Sequence, residues 1–127
     1  MDSIVQLAEP EVWSIGTALV LMVLDIIVGF AQSLITGSFS SSVMRVGLGH
    51  KFVTAAIIAM SVILETAGSH VAGLPFSGAT TVLVCAYVVV MEVGSILENA
   101  AKAYPELRDT PLFKLFEDQE HGKEAQR

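Results

Sequence analysis

Four acidic residues lie within or at the edge of long apolar segments of this chain, where carboxylates are uncommon. Asp25 interrupts the first segment, Glu65 the second, and Glu92 and Glu98 the third. Inside a membrane, such residues usually mark a water-filled path, an ion or proton site, or a polar contact between helices, because a carboxylate that faces lipid is costly. These acids are therefore the first candidates for function.

Helical spacing places further polar or small side chains beside each acid, because residues three and four positions apart share one helix face. The face on the first segment holds Asp25, Gly29, Gln32, Ser33 and Thr36. The face on the second holds Thr54, Ser61, Glu65, Gly68 and Ser69. The face on the third holds Thr81, Cys85, Glu92, Ser95 and Asn99. The predicted pore-lining or helix-contact residues are Asp25, Gly29, Gln32, Ser33, Ser61, Glu65, Glu92, Ser95, Glu98 and Asn99.

Other kinds of chemistry lack their residues. The three histidines lie in different segments without ligand spacing, and the single cysteine, Cys85, belongs to no metal-binding pattern. Neither a paired nucleophile and base nor a phosphate-binding loop is recognisable. We therefore expect no enzyme activity, no cofactor and no metal. The net charge of -6 and the scattered positions of the seven Lys and Arg residues also argue against nucleic-acid binding.

The composition indicates where these segments reside. The 127 residues are 53% hydrophobic and 16% charged, whereas a soluble domain is about 45–50% apolar and about 25% charged. A soluble helical bundle is the alternative, but it needs a wide polar face on each helix, and residues 82–91 offer none. The chain is therefore predicted to be an integral membrane protein.

The predicted fold is all-α, with three transmembrane helices at about residues 12–36, 52–74 and 79–101 in a membrane domain of residues 12–104. Each segment exceeds the roughly 20 residues that cross a bilayer. Residues 1–11 form a predicted N-terminal segment outside the membrane, and residues 105–127 form a short tail. The connection at residues 37–51 is rich in Ser and Gly as far as Gly49, and it is expected to be a flexible loop or a short interfacial turn. The tail's apolar residues are expected to lie on the membrane surface: Leu112, Phe113, Leu115 and Phe116.

The basic residues predict the orientation of the helices. Arg45 and Lys51 fall in the first connection, and the other five Lys and Arg residues follow the third apolar segment. Since connections rich in Lys and Arg stay in the cytoplasm, the N-terminus is predicted outside and the tail in the cytoplasm.

The acids are expected at different depths. At 1.5 Å of rise per residue, Asp25 falls near mid-membrane, Glu65 nearer the outside and Glu92 nearer the cytoplasm. This stagger favours a wettable path along the helices over one coordinating ring. Three helices cannot enclose a wide aqueous passage, so any hole requires a homo-oligomer of many copies.

Four motifs resemble the phage holins of the toxin-secretion and phage-lysis family, of the clostridial toxin-export type. They are LDIIVG at 24–29, SSS at 40–42, GLGHK at 47–51 and MEVGSILENAAK at 91–102. Asp25 and Gly29 match the family's Asp-x-x-x-Gly, and the third helix carries its Ser-Ile-x-Glu-Asn as residues 95–99. Met91 departs from the pattern, since the family usually has Asn there.

The resemblance implies a protein that accumulates in the bacterial cytoplasmic membrane, oligomerises and opens holes. Through such holes a cytoplasmic endolysin reaches the cell wall, or a toxin is exported. Its partners are then the lipid bilayer, further copies of itself and the released protein. Two alternatives remain from the intramembrane acids themselves: a small ion channel or proton-coupled transporter, and an accessory membrane subunit that binds partner helices.

Overall fold

The computed structural model describes residues 7–75 and 80–116, which form three long helices. They are α1 (Glu9–Thr36), α2 (Ser41–His70) and α3 (Thr80–Ala103), followed by a 3-10 helix, η1 (Pro105–Asp109), and a helical turn at residues 111–116. Each long helix has the length and hydropathy needed to cross a membrane. The predicted all-helical fold with three membrane-spanning helices is confirmed.

Local signals set the ends of the helices. At the start of α1, the Glu11 carboxylate accepts a hydrogen bond from the Ala8 backbone N–H at 2.8 Å, and α1 ends at Gly37, which adopts the left-handed conformation with φ of 70°. The Ser40 hydroxyl caps α2 by accepting from the Val43 N–H at 3.4 Å. Gly73, with φ of 93°, reverses the chain after α2.

The connection before α2 differs from the sequence expectation. Residues 41–51, expected as part of a flexible connection, are helical, and only residues 37–40 separate α1 from α2. The Ser40 cap explains the early start of α2, and Gly47 and Gly49 each weaken a helix by only about 1 kcal/mol relative to alanine. The helix also ends at His70, earlier than the expected Leu74.

The three helices pack around a small apolar cluster, formed by Ala18, Met22, Ile58, Cys85 and Val88. Most of the helix contact is between α1 and α3, whereas α2 touches both less extensively. Large apolar side chains point outward instead, and Phe52 is 81% exposed. An apolar exterior of this kind suits contact with lipid.

Polar groups lie on the inside of the bundle. Among the described residues, the buried polar side chains are Asp25, Ser61, Thr81 and Glu92. All four belong to the polar faces predicted from helical spacing. The bundle therefore buries these polar side chains beside its small apolar cluster, while many large apolar side chains face outward.

Candidate functional site

One lysine connects the three helices in the half of the bundle nearer the α1–α2 turn. The Lys51 Nζ on α2 donates to Asp25 Oδ2 on α1 at 2.5 Å, and it forms a second ion pair with Glu92 Oε2 on α3. Asp25 and Glu92 are each only 6% exposed. We call Asp25, Lys51 and Glu92 the ion network.

Asp25 has a further partner on α3. The Asn99 Nδ2 donates to Asp25 Oδ1 at 3.2 Å, so both carboxylate oxygens of Asp25 accept hydrogen bonds. Gly29, one turn along α1, lies beside this amide: a Cβ there would sit 3.4 Å from Asn99 Nδ2. Asp25 therefore makes polar contacts from α1 to both α2 and α3.

The ion network holds two nearly buried carboxylates and one ammonium whose side chain is 18% exposed. Moving charges out of water is expensive, and removing one partner of a buried pair costs about 3–5 kcal/mol because the remaining charge is left uncompensated. The network therefore makes the packing of α2 against α1 and α3 depend on Lys51.

An open cleft has the ion network in its wall. Its volume is about 450 Å³, and all three helices and the 37–40 turn line it. The predicted residues Gln32, Ser33 and Ser95 lie along this cleft together with Gly29 and Asn99. These polar or small groups give water a route toward the charges, while apolar side chains from all three helices line the rest of the cleft.

The hydroxyl and amide groups of the predicted set are largely satisfied locally. Gln32 Nε2 donates to Thr36 Oγ1 at 3.0 Å, and Ser33 Oγ donates to the Phe30 carbonyl at 2.7 Å. Ser61 is buried and donates to the Ile58 carbonyl at 2.6 Å. Local bonds of this kind let a hydroxyl lie against another helix without needing a partner there.

Two predicted acids lie outside the network. Glu98 is exposed and pairs with Lys102 on its own helix at 3.7 Å. Glu65 lies toward the opposite end of the bundle, where its Oε2 accepts from the Thr81 backbone N–H at 3.4 Å. Glu65 Oε1 and Thr81 Oγ1 are buried without a hydrogen-bond partner.

The structure brings Asp25 and Glu92 onto the same amine, although the sequence predicts different depths for them. The Lys51 side chain reaches both carboxylates from α2. Glu65, by contrast, does lie at another level.

Lys51 is the residue that the sequence reasoning missed. From the sequence alone, Lys51 falls in the connection between the first two helices and serves only as a cation that predicts the orientation of the helices. The signal was present in two forms: Lys51 directly precedes the apolar run that begins at Phe52, and it ends the GLGHK motif. A long lysine at the edge of an apolar run can extend along the helix to a buried carboxylate.

Within residues 7–75 and 80–116, no group of three His, Cys, Asp or Glu side chains is placed to hold a metal ion. Comparison with known proteins points to a kind of protein other than a metal-binding one. The model of the bacteriophage holin family matches residues 9–106 of the chain, from the start of α1 into η1. No curated protein and no solved structure matches significantly. Holins are pore-forming proteins rather than enzymes.

Proposed function

Since the chain belongs to the bacteriophage holin family, we propose that it oligomerises in the host's cytoplasmic membrane and opens holes that release an endolysin. It is a multi-pass protein of that membrane. The observation that carries the proposal is the ion network, in which one lysine joins all three helices through two buried acids. A toxin is the alternative cargo of the same hole.

The single chain is the closed form in this proposal. Its polar faces pair with one another inside the bundle, and its apolar side chains are outside, where lipid accepts them. In a large ring of copies the same polar faces line water instead. Opening therefore requires Lys51 to separate from Asp25, Glu92 or both.

Hydration lowers the free energy that is needed to separate Lys51 from its acids. In the closed bundle each buried charge is stabilised by its partner, whereas an ion pair exposed to water contributes only about 0–1 kcal/mol of stability. The cleft opens onto the ion network. Water that enters the cleft therefore weakens these ion pairs before it reaches the other helix contacts. Assembly of further copies around the hydrated face then keeps the helices apart.

Orientation is a second part of the proposal. We place the N-terminus outside and the α1–α2 turn and tail in the cytoplasm, so that the cleft opens toward the cytoplasm. A cysteine at Ser42, in a Cys85→Ser background, is expected to resist a membrane-impermeant thiol reagent added to intact cells. A cysteine at Leu7 is the control and is expected to react. Strong labelling at position 42 would contradict this orientation.

The function is tested by inducing the protein alone in bacteria that contain a cytoplasmic reporter enzyme and adding the reporter's substrate outside. Release of the enzyme supports a hole of protein size. Loss of membrane potential without enzyme release would instead indicate an ion channel or transporter. No effect without a partner protein would indicate an accessory subunit.

A matched pair of lysine and arginine variants links the result to the ion network. Lys51→Met removes the shared ammonium, whereas Arg45→Met removes an exposed cation from the same helix. We expect Lys51→Met to change the onset of enzyme release, and Arg45→Met to leave it near the wild-type time. Equal onset times in the two variants would contradict the role given to the network.

A further inference from the structure

After α3 the chain folds back along that helix. Residues 105–116, which we call the returning segment, place the Phe116 ring against α3 at Gly94. A Cβ added at Gly94 would lie 3.0 Å from Phe116 Cε1 and 3.3 Å from Cζ. The ring thus lies so close to Gly94 that a side chain at this position would require the ring to shift. The expectation that Phe116 lies only on the membrane surface is corrected by this contact.

Gly94 belongs to the outer face of α3. It lies two residues, or about 200° around the helix, from the buried Glu92. Leu83 and Tyr87 continue this outer side toward the start of α3, and each is 68% exposed. The returning segment therefore covers one end of a helix face whose other end is bare.

A glycine on this face suits a helix partner better than lipid. Glycine weakens a helix by about 1 kcal/mol relative to alanine, and lipid gains nothing from its missing side chain. Between membrane helices, small residues allow the two backbones to approach closely. In the single chain the Phe116 ring takes the position of such a partner.

The contact of the returning segment is loose. An open pocket of about 540 Å³ lies beside this contact, lined by Val90, Met91, Leu97 and Glu98 on the helix and by Arg108, Phe113 and Phe116 on the segment. Phe113 and Phe116 are only half-buried, and η1 has no buried residue. Arg108 lies 5.6 Å from the Phe113 ring centre, a contact within the segment itself. Little packing therefore opposes release.

We propose that the returning segment is an autoinhibitory cover. It occupies the Gly94 face of α3 in the single chain, and its release lets α3 of a second copy pack on that face. This inference rests on the proposed function, because the oligomer is the hole-forming state. It adds the surface through which copies meet and the segment that delays their meeting.

The test compares Phe116→Ala with Leu115→Ala in the intact chain. Leu115 belongs to the same segment but is 59% exposed, so its loss leaves the contact with Gly94 in place. Copies that meet through α3 are measured by disulfide formation between single cysteines at Val90, in a Cys85→Ser background. Losing an interaction of one or two kcal/mol shifts an equilibrium about 5- to 30-fold. Phe116→Ala is expected to raise the disulfide-linked dimer toward that range and to advance enzyme release.

Gly94→Ala supplies a second variant should Phe116→Ala accumulate poorly. Its methyl group forces the Phe116 ring to shift by a few tenths of an ångström and keeps a small residue for helix pairing, so it is expected to raise the dimer less than Phe116→Ala does. Dimer yields equal to that of Leu115→Ala in either variant, once protein levels are matched, overturn the cover. Failure of the proposed function is distinguishable, because the wild-type chain would then release no enzyme whatever the dimer yield.

Discussion

The acids in the two halves of the helix bundle have different partners. Near the α1–α2 turn, Asp25 and Glu92 share the ammonium of Lys51. Toward the opposite end, Glu65 accepts only a long 3.4 Å hydrogen bond from a backbone N–H, and its second oxygen has no partner. The comparison teaches that an acid in an apolar helix acquires its role from its partner. One end holds the helices together through charge, and the other holds them mainly by packing.

Replacing Lys51 with methionine is expected to have the largest effect on this comparison. It leaves two buried carboxylates without a cation, and the expected loss of stability is about 3–5 kcal/mol, as for other broken buried pairs. The unfolding midpoint of the purified protein in detergent should fall sharply. Enzyme release in induced cells should begin earlier than for the wild type.

The triple variant Lys51→Met, Asp25→Asn, Glu92→Gln is the control for that result. Replacing a whole buried ion network with neutral groups is often tolerated, because no charge remains uncompensated. Its unfolding midpoint is therefore expected to lie above that of Lys51→Met alone. A triple variant that is less stable than Lys51→Met would contradict the electrostatic explanation.

Replacing Asp25 or Glu92 singly compares how much each acid contributes to the stability of the ion network. Asp25→Asn weakens the bonds to both Lys51 and Asn99, whereas Glu92→Gln weakens only the bond to Lys51. A hydrogen bond to a charged group contributes about 1.5–3 kcal/mol, and each variant retains one acid for Lys51. We expect both losses to be smaller than that of Lys51→Met, with Asp25→Asn the larger. Unfolding midpoints in detergent check the order.

Glu65→Gln tests the other end of the bundle. A glutamine carbonyl still accepts from the Thr81 N–H, and the change removes a charge that has no cationic partner among the described residues. We expect stability to change by less than about 1 kcal/mol, the size of one neutral hydrogen bond, and release timing to stay near that of the wild type. An effect as large as that of Lys51→Met would remove the difference between the two ends.

Gly29→Ala is expected to have the smallest effect. The added Cβ would meet Asn99 Nδ2 at 3.4 Å, an ordinary van der Waals distance, and alanine favours the helix by about 1 kcal/mol over glycine. Unfolding and release should both stay close to the wild type. A strong defect in release with unchanged stability would mean that Gly29 is needed in the assembled state, where another helix approaches it.

The fold could be predicted because membrane insertion depends on local composition. Three apolar runs of sufficient length give three helices whatever their neighbours are, and the polar faces followed from helical spacing alone. Helical spacing predicts Asp25 and Glu92 as pore-lining or helix-contact residues without any knowledge of their contacts. Their burial follows from the cost of placing a carboxylate against lipid.

The partners of these acids could not be predicted in the same way. A contact between Asp25 and Glu92 depends on how far α1 and α3 are shifted along each other, which composition does not specify. Lys51 was assigned to a connection because the Ser and Gly residues before it suggested a loop, while the Ser40 cap began α2 early. The Phe116 contact with Gly94 depends on a chain reversal at Pro105 that a short apolar run does not indicate.

The most direct test of the account is to couple Lys51 covalently to its acids before and after opening. A membrane-permeant carbodiimide joins an amine to a carboxylate only where the two are in contact, and mass spectrometry of the linked peptides identifies the pair. We predict links from Lys51 to Asp25 or Glu92 in membranes before release, and a marked loss of these links when the reagent is added after release begins. An equal yield of links in both states would show that the ion network stays intact in the open hole, and would contradict the account.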